Sequence, residues 1–162
     1  MHPVAAPLAA GFRLHTRLFL NCLAGVDNDA AGTRPNERTN SISFIALHLV
    51  DVRHYTVRYA GGSPRPHRFA DLLAEVQSIE ALATYPPLSE IRNAWIAASA
   101  DLYLALEAID EDALKSASPQ RLPVEDGSVA GGLAFLLTHE GYHTGQMALL
   151  RKYLGRPAMA YT

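Results

Sequence analysis

Cysteine is nearly absent from this sequence, since Cys22 is the only one among 162 residues. One thiol cannot close an intrachain disulfide, so the disulfide-rich secreted class is excluded and a reducing cytoplasm is the expected location. Basic residues are not in excess either: 14 Lys plus Arg stand against 16 Asp plus Glu, for a net charge of −2. We therefore expect no nucleic-acid partner, because sequence-independent binding to phosphates needs a basic surface.

Long apolar runs are missing as well. The richest window, residues 129–137, ends at Thr138, well short of the roughly 18 apolar residues that a membrane-spanning helix needs. The N-terminal stretch has no positively charged leading region and carries Pro7 in its middle, which is untypical of a signal peptide. We expect a soluble protein with no membrane partner. With 49% hydrophobic and 19% charged residues, the composition predicts a single folded domain, residues 1–162.

Apolar residues recur at steps of three and four, and alternating strand-like runs are short, which predicts an all-α fold. Asn40 is the expected N-cap of the second long helix, and Gly155 is the expected C-terminal stop of the last one. We expect a loop after residue 26 and an irregular stretch after residue 109. Four long helices and one short extra helix, the third in chain order, are predicted at residues 7–26, 41–60, 69–83, 88–109 and 128–154. This order is typical of a four-helix bundle with a long crossover, in which sites are built from facing side chains of the interior.

The last helix contains the segment HEGYH, residues 139–143. Histidines at i and i+4 lie one turn apart on one helix face, so His139 and His143 can reach the same metal ion. A third histidine, His48, lies on the apolar face of the second long helix. A lone histidine in such a position is more often a hydrogen-bonded residue at the edge of the core. Three of them favour metal binding, because burying unpartnered imidazoles is costly.

The HEGYH segment also matches the H-E-x-x-H pattern of zinc peptidases, in which Glu140 would be the general base. Those enzymes take their third ligand downstream, and no His, Asp, Glu or Cys follows His143, so we do not expect a peptidase. Glu140 and His143 equally match the Glu-x-x-His motif of di-iron bundles, but the chain has no second such motif. For Glu140 we expect a supporting hydrogen-bonding role ahead of one as general base.

The run HEGYHTGQMALLRKYLGRP, preceded about ninety residues earlier by a lone histidine in NSISFIALHLVDVRHY, resembles the DinB superfamily of metal-binding four-helix bundles. The resemblance implies that His48, His139 and His143 bind one divalent metal ion per chain and leave positions for water or substrate. Zn or Ni is the expected metal, with Fe or Cu as alternatives, since imidazole suits all four. The resemblance also implies a homodimer.

Characterised relatives imply a metal-dependent thiol S-transferase that uses a low-molecular-weight thiol, such as bacillithiol or mycothiol, and a small-molecule substrate. An open three-histidine metal site lowers the pKa of a bound thiol from about 8.5, so that thiolate is available at neutral pH. The same site would activate water, so a metal-dependent hydrolase remains an alternative. A non-catalytic bundle that binds a metal or a small ligand is another. The residues alone assign no catalytic side chain.

Other polar residues are expected to be structural. Four arginines between Asp51 and Asp71 are expected to complement a helix C-terminus or to be solvated, ahead of a role in binding an anionic thiol or substrate. These are Arg53, Arg58, Arg65 and Arg68. Cys22 is expected to be a small core residue. His15 and His54 are expected to be structural or exposed.

Overall fold

The computed structural model describes residues 1–74, 82 and 84–161. Within these residues the regular structure is helical, apart from one isolated β-bridge between Ala117 and Ser128. None of the described helices is long and apolar enough to cross a membrane. The helices are α1 (Ala5–Leu23), α2 (Asn28–Gly32), α3 (Ile42–Tyr59), α4 (Ala70–Ala74), α5 (Leu88–Ala108), α6 (Glu111–Lys115) and α7 (Val129–Tyr153). The predicted all-α fold is confirmed, and its four long helices are α1, α3, α5 and α7.

The four long helices form a bundle in which α1 and α7 run one way and α3 and α5 run the other. Arg92 near the start of α5 donates to the carbonyl of Leu23 at the end of α1. Tyr59 at the end of α3 lies against Gly132 near the start of α7. Both α1 and α3 pack against α5 and α7. Because α3 and α5 run in the same direction, the chain must return along the bundle between them, and residues 60–74, 82 and 84–87 are the described part of this long crossover.

Helix ends follow local capping chemistry. Ser41, and not Asn40, is the N-cap of α3, since its side chain accepts a hydrogen bond from the Phe44 N–H at 3.2 Å. The prediction of Asn40 was wrong by one residue. The first helix ends at Leu23 rather than residue 26, and Gly25 follows it in the left-handed region at φ 68°. Gly155, at φ 71°, stops α7 as predicted.

Two short helices lie in stretches that were expected to be irregular. Asp27 caps α2 by accepting from the Ala30 N–H at 2.7 Å, and Asp110 caps α6 by accepting from the Ala113 N–H at 2.8 Å. Five residues are too few to show a helical apolar period, so only the capping aspartates marked these turns. Of the helix predicted at residues 69–83, the structure describes α4; residues 75–81 and 83 lie outside the described part.

The apolar core has two parts with a polar layer between them. One part surrounds Phe19 and Trp95, whose rings stack with centroids 4.3 Å apart. The other surrounds Phe12, Leu102 and Leu133, nearer the opposite end of the bundle. Arg53 and the side chains that it hydrogen-bonds lie in the layer between the two parts, and they come from all four long helices: Thr16, Arg53, Ser99 and Glu140. We refer to these four residues as the polar layer.

Candidate metal centre

Three histidines from two helices meet between α3 and α7. His48 comes from the middle of α3, and His139 and His143 come from the middle of α7. One ring nitrogen of each lies within 4.8 Å of the others, and all three side chains are half-buried. The ring centroids of His139 and His143 are 4.5 Å apart, as the i, i+4 spacing requires, and the His48 ring lies 5.3 and 4.8 Å from them. The structure thus brings together the three histidines that the sequence analysis selected, here called the histidine trio.

Gln146 orients one member of the trio. Its Oε1 lies 2.7 Å from Nδ1 of His143. An amide oxygen only accepts, so we assign the ring proton to Nδ1, which leaves the lone pair of Nε2 free. Gln146 is held in turn, because its Nε2 donates to the Tyr142 hydroxyl at 3.1 Å. A hydrogen bond of this kind fixes the tautomer and ring orientation of a metal-binding histidine.

All three histidines are neutral at pH 7. Burial, together with charge repulsion from the neighbouring His143 and His139 rings, lowers the pKa of His48 to about 4. Burial likewise lowers the pKa of His139, with a further contribution from His143. Burial also lowers the pKa of His143, although its hydrogen bond with Gln146 opposes this. Neutral imidazole is the form that binds a metal, so protons do not compete for these nitrogens at neutral pH.

The geometry of the trio fits a divalent ion. In a tetrahedral zinc site with bonds of about 2.0–2.1 Å, ligand nitrogens lie about 3.4 Å apart. Nε2 of His139 and Nε2 of His143 are already 3.2 Å apart, and small side-chain rotations close the remaining separations, which are at most 4.8 Å. Three protein ligands are the number found in catalytic zinc sites, where a fourth position is left open to water or substrate.

Glu140 points away from the trio into the polar layer. Its side chain is fully buried, and its two oxygens accept from Nε and Nη2 of Arg53, each at 2.7 Å. Arg53 also donates to the hydroxyls of Thr16 and Ser99, both at 3.1 Å, and its guanidinium lies 3.9 Å from the centre of the Trp95 ring. This is the supporting role expected for Glu140. A general base needs an oxygen facing the metal, and both oxygens of Glu140 are bound to Arg53.

Comparison with known families supports the same interpretation of the trio. The family model of the DinB superfamily matches residues 12–147, a span that contains the whole histidine trio and most of the chain. The chain belongs to the DinB superfamily. Membership confirms the resemblance found in the sequence, and a metal-binding family agrees with three histidines placed closely enough to hold an ion. No curated protein matches the chain.

The four arginines between Asp51 and Asp71 have separate roles in this DinB protein. Arg65 and Arg68 form ion pairs with carboxylates of α5, at 3.1 and 3.0 Å, and both arginines are largely exposed. Arg58 is exposed at the end of α3. These three agree with the expected solvated or structural roles. Arg53 does not, because it is fully buried and neutralised by Glu140.

A second histidine pair was not predicted. The rings of His54 and His67 stack with centroids 4.3 Å apart and an angle of 11° between their planes. His54 is only 3% exposed, and burial together with charge repulsion from His67 lowers its pKa to about 4. Asp51 Oδ1 lies 3.3 Å from Nε2 of His67, and this contact holds the pKa of Asp51 below its usual value. His67 lies in the irregular crossover, where no helical period pointed to it.

Two further residues of α1 have structural roles, as expected. Cys22 is fully buried in the core, and burial raises the pKa of its thiol to about 12, so it is not a nucleophile at neutral pH. His15 lies at the edge of the polar layer, with Nδ1 3.6 Å from Oε2 of Glu140. Its ring therefore faces the buried carboxylate and not the trio.

Proposed function

We propose that this DinB protein binds one divalent metal ion through His48, His139 and His143 and transfers a low-molecular-weight thiol to an electrophilic small molecule. The single observation that carries the proposal is the convergence of three neutral imidazoles within 4.8 Å of one another. The trio is half-buried and supplies three ligands, so an ion held there retains a position for a substrate. Zinc or nickel is the proposed metal, with iron or copper as alternatives.

The proposed reaction is a substitution at an electrophilic carbon. A divalent ion, when bound, supplies the Lewis acidity that lowers the pKa of a thiol from about 8.5 towards neutrality. The thiol loses its proton to water, its sulfur forms a bond to the carbon, and the leaving group departs with its electron pair. The chain itself contributes alignment: Gln146 orients His143, and the Arg53–Glu140 pair joins α7 to α3 at the turn that carries His139 and His143.

The arrangement of Glu140 argues against hydrolysis by the H-E-x-x-H scheme. Metal-dependent hydrolysis by the H-E-x-x-H scheme uses the glutamate as a base towards water, but here Arg53 occupies both carboxylate oxygens. A divalent ion held by the trio would lower the pKa of a thiol without help from a carboxylate, and the proton would pass to water. A non-catalytic metal-binding role is the remaining alternative, and it differs from the proposal in having no turnover.

The metal site is tested by elemental analysis of purified protein. We expect about one ion per chain in the wild type and loss of that ion in His48→Ala, His139→Ala and His143→Ala. His2→Ala is the matched control, since His2 lies outside the bundle site beside Glu111, and it should retain the ion. Full metal content in His48→Ala would show that α3 contributes no ligand and would overturn the site.

Thiol transfer is tested with the metal-loaded protein, a panel of biological thiols and an electrophile such as monochlorobimane. We expect thioether formation above the uncatalysed rate with at least one thiol, and its loss in His48→Ala. Ester hydrolysis that needs no thiol and also disappears in His48→Ala would replace the transferase with a hydrolase. Stabilisation by metal without turnover of any substrate would support the non-catalytic alternative.

A further inference from the structure

A cavity of about 250 Å³ lies beside the histidine trio, where the loop before α3 meets the C-terminal half of α7. It is bounded by residues 38–40 of the loop, by Ile45 of α3 and by Gln146, Leu149 and Leu150 of α7. We call it the Arg38 cavity. Gln146 connects the cavity to the trio, because it lines the cavity and accepts the hydrogen bond from His143.

One side of the Arg38 cavity is apolar. Ile45 and Leu150 are buried core residues that form its inner surface. Leu149 lies at its rim and is 69% exposed, so its side chain is available for contact with a bound molecule. A short hydrocarbon segment bound in the cavity would contact all three side chains.

The other side of the cavity is polar and carries positive charge. Arg38 is exposed at this edge, and Oδ1 of Asn40 is buried with no hydrogen-bond partner. Because this amide oxygen only accepts hydrogen bonds, it indicates a position for water or for a donor group of a ligand, and the anion itself must be bound by Arg38. No acidic side chain is among the residues that bound the cavity. A bound anion would therefore meet the Arg38 guanidinium without a competing carboxylate in the cavity wall.

The loop that carries Arg38 is held in place by its own hydrogen bonds. Oδ1 of Asn36 accepts from the Arg38 N–H at 2.9 Å and from the Thr39 hydroxyl at 3.0 Å. Nε of Arg34 donates to the carbonyl of Thr39 at 3.0 Å. The backbone of Arg38 is thus positioned before any ligand arrives, which reduces the entropy lost on binding. The N-terminus of α3 also lies on this side and adds partial positive charge.

We infer that the Arg38 cavity binds the anionic end of the substrate or of the thiol, while the reacting end of the same molecule lies at the histidine trio. The ligand class is a small carboxylate or similar anion joined to a short apolar segment. The placement of the reacting end rests on the proposed function, whereas the recognition of the anion rests only on the cavity and can be tested separately.

The first test uses metal-free protein and two ligands with the same six-carbon length, the anion hexanoate and the uncharged hexanol. Amide chemical shifts of Arg38, Asn40 and Gln146 are followed by NMR during titration. We expect hexanoate to bind more tightly than hexanol and to lose about tenfold in affinity in Arg38→Ala, the loss expected for one charge-assisted hydrogen bond. Arg38→Lys should keep most of the preference. Arg17→Ala, an exposed arginine on α1, is the matched control and should bind as the wild type does.

Equal affinities for hexanoate and hexanol, or an unchanged preference in Arg38→Ala, would overturn the inference. These outcomes do not depend on a metal, so they leave the proposed function untouched.

The second test uses cobalt-loaded protein with mercaptohexanoate and mercaptohexanol, and it follows the thiolate-to-cobalt absorption band. We expect the carboxylate thiol to saturate the band at a concentration about tenfold lower, with the advantage lost in Arg38→Ala. Equal saturation by both thiols would place the anion elsewhere and overturn the link between cavity and trio. Failure to bind cobalt would overturn the proposed metal site, while the hexanoate titration would still decide the cavity.

Discussion

Arg53 and Glu140 form an ion pair that is entirely removed from water. Both side chains are 0% exposed and joined by two hydrogen bonds of 2.7 Å, whereas Arg13 and Glu107 form a pair at 3.5 Å that is about half exposed. Burying two charges costs several kcal/mol, and only close pairing with further hydrogen bonds offsets the cost. We therefore expect the two ion pairs to respond differently to substitution.

Removing one member of the buried pair should destabilise the fold far more than removing both. We expect Arg53→Met and Glu140→Leu each to lower the free energy of unfolding by about 3–5 kcal/mol, because each leaves an unpaired buried charge, while the double variant loses much less than the sum. Urea denaturation measures all three. The control is Arg13→Met with Glu107→Leu, for which solvent screening predicts small, additive changes. Additive losses in the buried pair would show that the two charges do not depend on each other.

The residues of the site differ in how well the sequence predicts their roles. His139 and His143 are predictable as a pair because their i, i+4 spacing is local, and His48 is predictable from its position on an apolar helix face and from the DinB resemblance. Arg53 was expected to be solvated or at a helix end, since its partner Glu140 lies 87 residues away. A single arginine on the otherwise apolar side of α3 was the available clue. A buried arginine must have an anionic partner, but tertiary packing decides which residue that is, so the sequence does not identify it.

Helix α7 approaches α3 closely at one glycine and is open at another. A Cβ at Gly132 would overlap the hydroxyl end of Tyr59, which is itself fixed because that hydroxyl donates to Ser118 at 2.7 Å. A Cβ at Gly145 would meet nothing within 4 Å. Both glycines lie inside the same helix. Comparing the stabilities of their alanine variants therefore separates the effect of packing from the effect of helix propensity.

Substitution of these two glycines by alanine should change the free energy of unfolding in opposite directions. Gly132→Ala is expected to lower the free energy of unfolding by about 1–3 kcal/mol, because Tyr59 must leave its hydrogen bond or α7 must move. Gly145→Ala is expected to raise it by about 0.5–1 kcal/mol, because alanine is the better helix former. Thermal and urea denaturation measure both. A stabilising Gly132→Ala would mean that Tyr59 moves aside at no cost.

The long helices were predictable from sequence and the short ones were not, because the two kinds of helix are stabilised by different interactions. A helix such as α5 shows six turns of apolar period in sequence, and packing against the bundle supplies its stability. Helices α2 and α6 have five residues each, and each depends on one aspartate N-cap. Aspartates make the same hydrogen bonds in loops, so the sequence pattern does not distinguish a short helix from a loop.

Stability of the whole molecule should depend on pH through its buried histidines. The folded-state pKa of His54 is about 4, below the unfolded value of about 6.5. Between these values the unfolded chain binds a proton that the folded protein excludes. The stabilising contribution is therefore fully present above about pH 6.5 and is lost as the pH falls towards 4. His67 and Arg58 oppose protonation of His54, whereas Asp101 and Asp51 favour it.

His54→Phe should flatten this dependence. We expect the fall in unfolding free energy between pH 7 and 4 to be smaller by about 1–2 kcal/mol in the variant, since phenylalanine keeps the ring packed on His67 but cannot titrate. Denaturant unfolding of metal-free protein at a series of pH values gives the comparison. His2→Gln serves as the control and should follow the wild-type curve. Parallel curves for wild type and His54→Phe would contradict the assignment.

The polar layer also determines where the chain accepts inserted sequence. Sliding α7 past α3 by one turn, about 5.4 Å, would separate Glu140 from Arg53 and leave two charges without partners inside the bundle. The buried Arg53–Glu140 pair thus fixes the position of α7 relative to α3 along the bundle axis, and the connecting loops need not fix it. Doubling the length of a loop costs only about 0.6 kcal/mol. The exposed loop around Pro123 is therefore a site where a peptide can be grafted while the histidine trio keeps its geometry, which makes this bundle a scaffold for engineered loops.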